Sequence, residues 1–596
     1  MPELKQPVRK KADHKLDLGE ILADLVSDGL ISPRDAEPLL ARRPAKTHSD
    51  LHPLVTIAEK NLLNAKPPHK PLSLETLTMW LAKKNGLSYH YIDPLKIDVA
   101  AVTGVMSYAY AARNKILPIA VTPDSVIIAS AEPYITEWEK ELTHLLRQKI
   151  RRVFANPVDI NRYLVEFYSL SRSVKHAVGL TNNSQINELA NLEQLVELGR
   201  SGKLDANDQH IVNIVDWLLQ YAFDQRASDI HLEPRRDQSN IRFRIDGLLH
   251  LVYQMPTPVT GAVISRIKIL GRMDLAEKRR PLDGRLKTKT PDGKEVELRL
   301  STMPTAFGEK LVMRIFDPDV LLKTYFELGL SEDDIRRWEG MVNHPHGIVL
   351  VTGPTGSGKT TTLYSTLKQL AKPEVNVCTI EDPIEMVEPR FNQMQVQQNI
   401  GLDFASGVRS LLRQDPDIIM VGEIRDSETA EMAVQAALTG HLVLSTLHTN
   451  DAASAITRLL EIGIPSYLIN ATLLGVVAQR LVRSLCPHCK APGALNEELW
   501  RSLVSPWKVA QPAAVSVPIG CLECRNTGYR GRIGVYEMIT MSAGLRKLIR
   551  SDTDIAMLRE QALKEGMRPL RIAAVQKVHA GLTTLEEVMG VASHTE

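Results

Sequence analysis

The segment Gly347–Leu363, GIVLVTGPTGSGKTTTL, restricts the architecture of this chain more than any other stretch. Gly347–Thr352 reads as a buried strand, and Thr361–Leu370 reads as the start of a helix. Between them the pattern G-x-x-x-x-G-K-[ST] is met in full by Gly353, Gly358, Lys359 and Thr360. A loop made of Gly353, Pro354, Thr355, Gly356, Ser357, Gly358, Lys359, Thr360 and Thr361 can close its backbone N–H groups around phosphate oxygens. The helix behind it adds a favourable dipole. Lys359 is placed to reach the β- and γ-phosphates, and the Thr360 hydroxyl to take Mg²⁺. Strand, loop and helix in this order require an α/β domain with a parallel sheet and a nucleotide, ATP by expectation, at its carboxyl edge.

Three further apolar strands deliver chemistry to the same edge. Ile418-Ile-Met-Val-Gly-Glu423 ends in a carboxylate that can coordinate a Mg²⁺-bound water or polarise the attacking water. Val375–Ile380 runs into Glu381-Asp382-Pro383-Ile384-Glu385, where Pro383 forces an abrupt exit from the sheet. One of those crowded carboxylates is expected to orient the water that attacks the γ-phosphate. Gly440-His-Leu-Val-Leu-Ser-Thr-Leu-His448 sets His448 beside Thr449, Asn450 and Asp451, within reach of a γ-phosphate. Nearly continuous apolar strands from about Gly329 onward fit a sheet covered on both faces.

Five cysteines in so long a chain are too few for a disulfide framework, so their positions carry the meaning. Cys486-Pro-His-Cys489 and Cys521-Leu-Glu-Cys524 are two Cys-x-x-Cys pairs. Each pair grips a metal from a tight turn, and four thiolates make a closed tetrahedral site for Zn²⁺. His488 is a bystander in this reading, and Cys378 is core packing in an apolar strand.

Ahead of the sheet, residues 208–320 form a separate unit. Ile211–Arg226 has helical periodicity. Ile241-Arg-Phe-Arg-Ile-Asp246 alternates as a half-buried strand closed at Gly247, and further strands are expected at Glu295–Ser301 and Lys310–Phe316. Arginine is dense here, with Arg272, Arg279, Arg280, Arg285, Arg299 and Arg314. Residues 16–43 predict two short helices joined around Asp28-Gly29, and Ser73–Lys84 predicts another. Ile116–Ser130 predicts two strands about a Pro-Asp turn, and Thr136–Gln148 a helix. The polar segment Ser171–Lys203 reads as a linker.

Composition excludes several alternatives. With 72 basic and 70 acidic residues among 596, nothing in the overall charge argues for nucleic acid. No apolar run approaches the roughly 18 residues that span a bilayer. The N-terminus MPELKQPVRKKADHK has no apolar stretch behind its charges. A cytosolic protein is expected, with any membrane role exerted through partners.

Taken together, GPTGSGKTTTLY, TIEDPIE, LLRQDPDIIMVGEIRD with SETAEMAVQAALTGHLVLSTLHTND, and AQRLVRSLCPHC with its second Cys pair and GYRGRIGVYE resemble one family. It is the GspE/PulE/PilB group of type II secretion and type IV pilus assembly ATPases, and the resemblance covers roughly residues 208–590. It implies a RecA-like P-loop ATPase core preceded by a PAS-like α+β lobe, with a zinc-binding insertion and an α-rich N-terminal docking region. The implied domains are 1–170 for partner docking, 171–207 as linker, 208–320 as the arginine-rich lobe, 329–483 as the ATPase domain, 484–535 as the four-cysteine subdomain and 536–596 as a helical segment.

The same resemblance implies a ring homohexamer with ATP between the two lobes of each subunit. Arg299 and Arg314 would swing onto the phosphates as the cleft closes. Glu385 would orient water, Glu423 would lie near Mg²⁺, and His448 near the γ-phosphate, with the zinc subdomain structural. The N-terminal region would dock on an inner-membrane platform and its docking proteins, making the chain peripheral to the inner membrane. Some members bind cyclic di-GMP there through R-L-G-x-x-L repeats. Here Asp17-Leu18-Gly19-Glu20-Ile21-Leu22 puts aspartate where arginine would meet a phosphate, so that ligand is not expected.

Type II secretion is the expected role, because ALTGHLVLSTLHTN and LLGVVAQRLVRSLC look closer to its members. Type IV pilus assembly shares every catalytic motif and stands as the alternative. A DNA-translocating ring ATPase is disfavoured by near-neutral charge and the lack of an aromatic-and-basic strand platform. A nucleotide-regulated binder without turnover is disfavoured by intact Lys359, Glu385 and Glu423.

Overall fold

The computed structural model describes residues 13–41, 52–66, 69, 71–177, 206–290, 292–316 and 323–592. The chain separates into two compact units. The first runs to Lys294 and resumes over Leu298–Ile315, and the second takes Glu295–Glu297 and everything from Phe316.

The first unit opens with the two expected helices, Leu18–Ser27 and Pro33–Ala41. Asp17 caps the first. Its carboxylate accepts the N–H of Gly19 at 2.8 Å and of Glu20 at 3.3 Å, which accounts for an aspartate at this position. Ile21, Leu22 and Leu25 pack with Leu54, Ile57, Leu77 and Leu81 from the helices Pro53–Ala58 and Leu74–Lys84. A small sheet follows: β1 (Ile116–Val121), β2 (Ser125–Ser130) and β3 (Lys149–Phe154). β1 and β2 form the expected antiparallel pair. β3 joins in parallel after the helix Glu137–Leu146, and its sequence KIRRVF hid it behind three cations.

The helix Pro157–Ala177 runs on into the segment read as a linker. Its apolar spacing carries across the boundary, with Leu170 before it and Val174 beyond it both buried. The remainder of that segment lies outside the described residues. Arg162 on this helix bonds Glu166 at 2.7 Å and also pairs with Asp224 of the helix Gln209–Asp224.

A six-stranded sheet completes the unit. Its strands are β4 (Asp229–Glu233), β5 (Gln238–Ile245), β6 (Leu248–Pro256), β7 (Leu282–Lys289), β8 (Glu295–Thr305) and β9 (Gly308–Phe316), in the order β6-β5-β4-β9-β8-β7. Ile241, Phe243 and Ile245 of β5 are buried, as their alternation requires, and Gly247 at φ 92° makes the turn into β6.

The second unit is built on a seven-stranded sheet. It contains β10 (Gly347–Thr352), β11 (Val377–Glu381), β12 (Asn392–Gln395), β13 (Ile418–Val421), β14 (Leu442–Leu447) and β15 (Leu473–Leu485). After the short hairpin β16 (Ala491–Gly493) and β17 (Val515–Val517), β18 (Tyr529–Thr540) returns to it. The order is β12-β11-β13-β14-β10-β15-β18. The pairs are parallel except the last, so the core is a RecA-like α/β sheet. β10 shows why the strands read as unbroken apolar runs. Ile348 and Leu350 enter one core while Val349 and Val351 enter the other, on the opposite face. Each such side chain contributes roughly 1.5–3 kcal/mol on burial.

Glu537 of β18 ties the C-terminal helices to this sheet. It is 5% exposed, and it accepts the N–H of Ala452 at 2.8 Å and of Leu570 at 3.1 Å. These residues open the helices Ala452–Glu461 and Leu570–His579, so one carboxylate caps both. Burial pushes its pKa up to about 7, against the lowering effect of those two N–H groups.

Candidate nucleotide site and four-cysteine cluster

Strand β10 ends at Thr352, and the backbone then turns through Gly353 (φ 144°), Gly356 (φ 80°) and Gly358 (φ 87°) into the helix Lys359–Leu370. These angles lie in the region that only glycine enters without strain. Gly353 has a second reason to lack a side chain. A Cβ there would meet the Gln479 carbonyl oxygen at 2.4 Å and Ser357 Oγ at 2.7 Å. Gln479 comes so close because β15 runs parallel to β10 with Ala478 opposite Thr352. Its buried side chain accepts the Thr362 hydroxyl at 2.9 Å, fastening the first turn of the helix. Motif reading passed over Gln479, since nothing in AQRLV marks it as the wall of the loop.

The N-terminus of the helix Lys359–Leu370 has no side-chain cap, which leaves its N–H groups for an anion. Lys359 is folded back onto the loop, with Nζ donating to Gly353 O at 2.8 Å and to Pro354 O at 3.3 Å. Burial holds its pKa below the usual lysine value; the Glu423 charge opposes that shift and the Arg480 charge adds to it. Thr360 is exposed and Thr361 half-buried.

The acidic groups have separated roles. Glu381, at the end of β11, is 3% exposed and accepts Tyr364 OH at 2.6 Å, Thr379 Oγ1 at 2.7 Å and Gln393 Nε2 at 3.2 Å. Burial raises its pKa, while those bonds and the Glu385 backbone N–H lower it. Its oxygens are occupied by structure. Asp382 is exposed, and Glu385 is half-buried with no cation paired to it among the described residues. Glu423 pairs with Arg425, and its Oε2 lies 3.4 Å from His448 Nε2, so the ends of β13 and β14 bring that carboxylate and imidazole together.

Arg299 and Arg314 lie on β8 and β9 of the first unit, each with a partner there. Arg299 Nη2 is 3.7 Å from Asp283 Oδ1, and Arg314 Nε donates to Asp229 Oδ1 at 2.9 Å.

The four cysteines converge from two tight turns. The Cys486–Cys521 and Cys489–Cys524 sulfurs are 3.7 Å apart, the Cys521–Cys524 sulfurs are 3.8 Å apart, and all four lie within 4.8 Å of one another. Four thiolates about 2.3 Å from one tetrahedral metal stand roughly 3.8 Å apart, so the cluster has the dimensions of a Cys₄ site. The N–H groups of Cys521 and Gly528 each reach Cys524 Sγ at 3.2 Å, which favours the thiolate. His488 faces Arg530 instead, at 3.3 Å, and Cys378 is buried in the sheet core.

A phosphate loop at the carboxyl edge of this strand order, with an acid after β13 and a histidine after β14, defines a RecA-like P-loop ATPase. The family model described as Type II/IV secretion system protein matches residues 205–590, and the MshEN domain model matches residues 85–174. The chain is 53% identical to the type IV pilus assembly ATPase TfpB of Acinetobacter baylyi, over 97% of this chain and 98% of that one. It is 40% identical to the type IV pilus assembly ATPase PilB of Myxococcus xanthus, over 86% and 90% respectively. The type II secretion system ATPase E of Vibrio cholerae is 40% identical, over 76% and 85%. The chain belongs to the Type II/IV secretion system protein family and is an ATPase of the secretion and pilus-assembly class. No helix among the described residues is long and apolar enough to cross a membrane.

The close approach of β15 makes Gly353 a direct test of the loop. Gly353→Ala is expected to cost about 1–3 kcal/mol of stability in a thermal melt, since a Cβ must displace the Gln479 carbonyl. ATP hydrolysis should fall about tenfold or more, equivalent to a barrier rise of at least about 1.4 kcal/mol. A variant with wild-type stability and turnover would show that the loop is not confined in this way.

Proposed function

We propose that this chain is the assembly ATPase of a type IV pilus machine, hydrolysing ATP to drive an inner-membrane platform that polymerises pilin-like subunits. The observation that carries this reading is a likeness to a pilus assembly ATPase that runs through nearly all of both chains, N-terminal region included. Likeness to the type II secretion relative is lower and covers less of this chain. The wording of ALTGHLVLSTLHTN leans the other way, toward type II secretion, and that role is the second reading.

In the proposed mechanism, Lys359 leaves the Gly353 and Pro354 carbonyls for the β- and γ-phosphates, whose charge offsets its desolvation. Backbone N–H groups of the loop and of the helix N-terminus at Lys359 and Thr360 would hold the inner phosphates. Thr360 would hold Mg²⁺ with Glu423 nearby, and the ion would supply charge neutralisation on the phosphates. Glu385, free of cation partners, orients the attacking water, whereas Glu381 is committed to Tyr364, Thr379 and Gln393. His448 reads the γ-phosphate beside Glu423. Arg299 and Arg314 exchange Asp283 and Asp229 for phosphate oxygens when a lobe closes in a ring hexamer. Residues 208–320 would be that lobe, 329–483 the ATPase domain, 484–535 the metal subdomain and 536–596 its helical buttress. Residues 1–170 dock the chain, as a peripheral cytoplasmic component, to its membrane partners.

The four cysteines would hold a structural Zn²⁺, given the tetrahedral spacing of their sulfurs. Metal analysis of the purified chain should give about one zinc per chain. Cys486→Ser should lose that metal and lower the melting temperature while ADP still binds. Protein purified without metal, and as stable as before, would overturn this assignment.

Deleting the gene and scoring both outputs separates the two branches. Surface pili should disappear while exoprotein secretion continues. Lost secretion with pili intact would assign the chain to type II secretion instead.

A further inference from the structure

Arg480 is a cation beside the loop to which none of the motifs assigns a role. It follows Gln479 on β15, just past the point where Ala478 pairs with Thr352. Successive side chains of a strand point to opposite faces. Gln479 therefore faces the helix Lys359–Leu370, where it holds Thr362, and Arg480 faces the other way. Its Nη2 donates to Asn450 Oδ1 at 3.1 Å. Asn450 follows β14, and β10 lies between β14 and β15, so the guanidinium reaches across the end of the very strand that launches the loop. Asn450 stands two positions beyond His448, which meets Glu423. Of the two charges acting on Lys359, Glu423 raises its pKa and Arg480 lowers it, so both bear on the loop lysine.

What sets Arg480 apart is the missing countercharge. Arg425 and Arg483 pair with Glu423 and Glu587, but no carboxylate pairs with Arg480 among the described residues. Its one hydrogen-bond partner among the described residues is a neutral amide, and burial pulls its pKa below the usual arginine value. A partly desolvated guanidinium with only an amide to face is costly unless an anion arrives. The fork of an arginine matches phosphate oxygens in a way a lysine does not.

We propose that Arg480 contacts the terminal phosphate of bound ATP, with the bond to Asn450 holding the guanidinium in reach of it. The proposal rests on the reading of this loop as the ATP site. The inner phosphates belong to the loop and the helix N-terminus, whereas Arg480 reaches the flank where Glu423 and His448 stand. Asn450 also adjoins Asp451, the N-cap of the helix Ala452–Glu461. Exchange of the amide for a phosphate therefore releases a hydrogen bond next to a helix that Glu537 shares with the C-terminal segment.

The test is isothermal titration of the full chain with Mg²⁺-ADP and with Mg²⁺-ATPγS, in wild type and in Arg480→Gln. The expected result is ATPγS affinity weakened about tenfold or more, with ADP affinity changed less than about twofold. Arg480→Lys, which keeps the charge in a similar volume, should show the same selectivity in milder form and carries the test should the glutamine variant melt early. Equal losses for both ligands, or none for either, would overturn the proposal. A wild-type chain that binds neither ligand would overturn the reading of the loop itself, and this proposal with it.

Discussion

The backbone of β15 pressed against Gly353 is the contact on which the nucleotide end of this molecule depends. β10 is gripped by parallel neighbours on both edges and by separate apolar cores on both faces, so its end cannot drift. With Thr352 fixed and Gln479 closing one side, the chain has little choice but the glycine-only turn that opens the loop. The same glutamine fastens Thr362, which sets where the helix N-terminus points. Rigid strands thus do the positioning, and the helix behind the loop presents an N-terminus without a side-chain cap.

Around that frame, carboxylates of one chemical type are sorted by their surroundings. Glu381 is buried and fully hydrogen-bonded, and Glu537 is buried between two helix starts; both serve structure. Glu423 meets a histidine and an arginine at the sheet edge, and Glu385 has no cation partner among the described residues. Water access and pairing, more than residue identity, decide which of them is available to a phosphate or to an attacking water. Lys359 and Arg480 show the same principle with the sign reversed: neither has a carboxylate partner among the described residues, and Lys359 bonds the loop's own carbonyls while Arg480 bonds Asn450.

The legible parts of the sequence were those whose physics is local. The glycine loop, the apolar strands β10, β13 and β14, the alternation of β5 and the Cys-x-x-Cys turns all stand close to where they were expected. The cations of β3 mask its strand pattern, and the helix Pro157–Ala177 enters the segment read as a linker because Val174 still finds a core. In the acidic box, sequence showed crowding at one strand end but not that Tyr364 and Gln393, distant in the chain, would occupy Glu381. Gln479 and Arg480 sit in an ordinary strand sequence. Only the parallel register of β15 with β10 brings them to the loop, and that register is a long-range property no short motif records.

In the proposed mechanism the loop, with the acid at the end of β13, forms a site that hydrolyses ATP rather than merely holding it. Steady-state phosphate release by the purified full-length chain, wild type against Glu423→Gln, addresses this most directly when paired with ATP binding. Wild type should turn over ATP with Mg²⁺. The variant should still bind ATP but release phosphate about a hundredfold or more slowly. Unchanged phosphate release by Glu423→Gln would contradict the account.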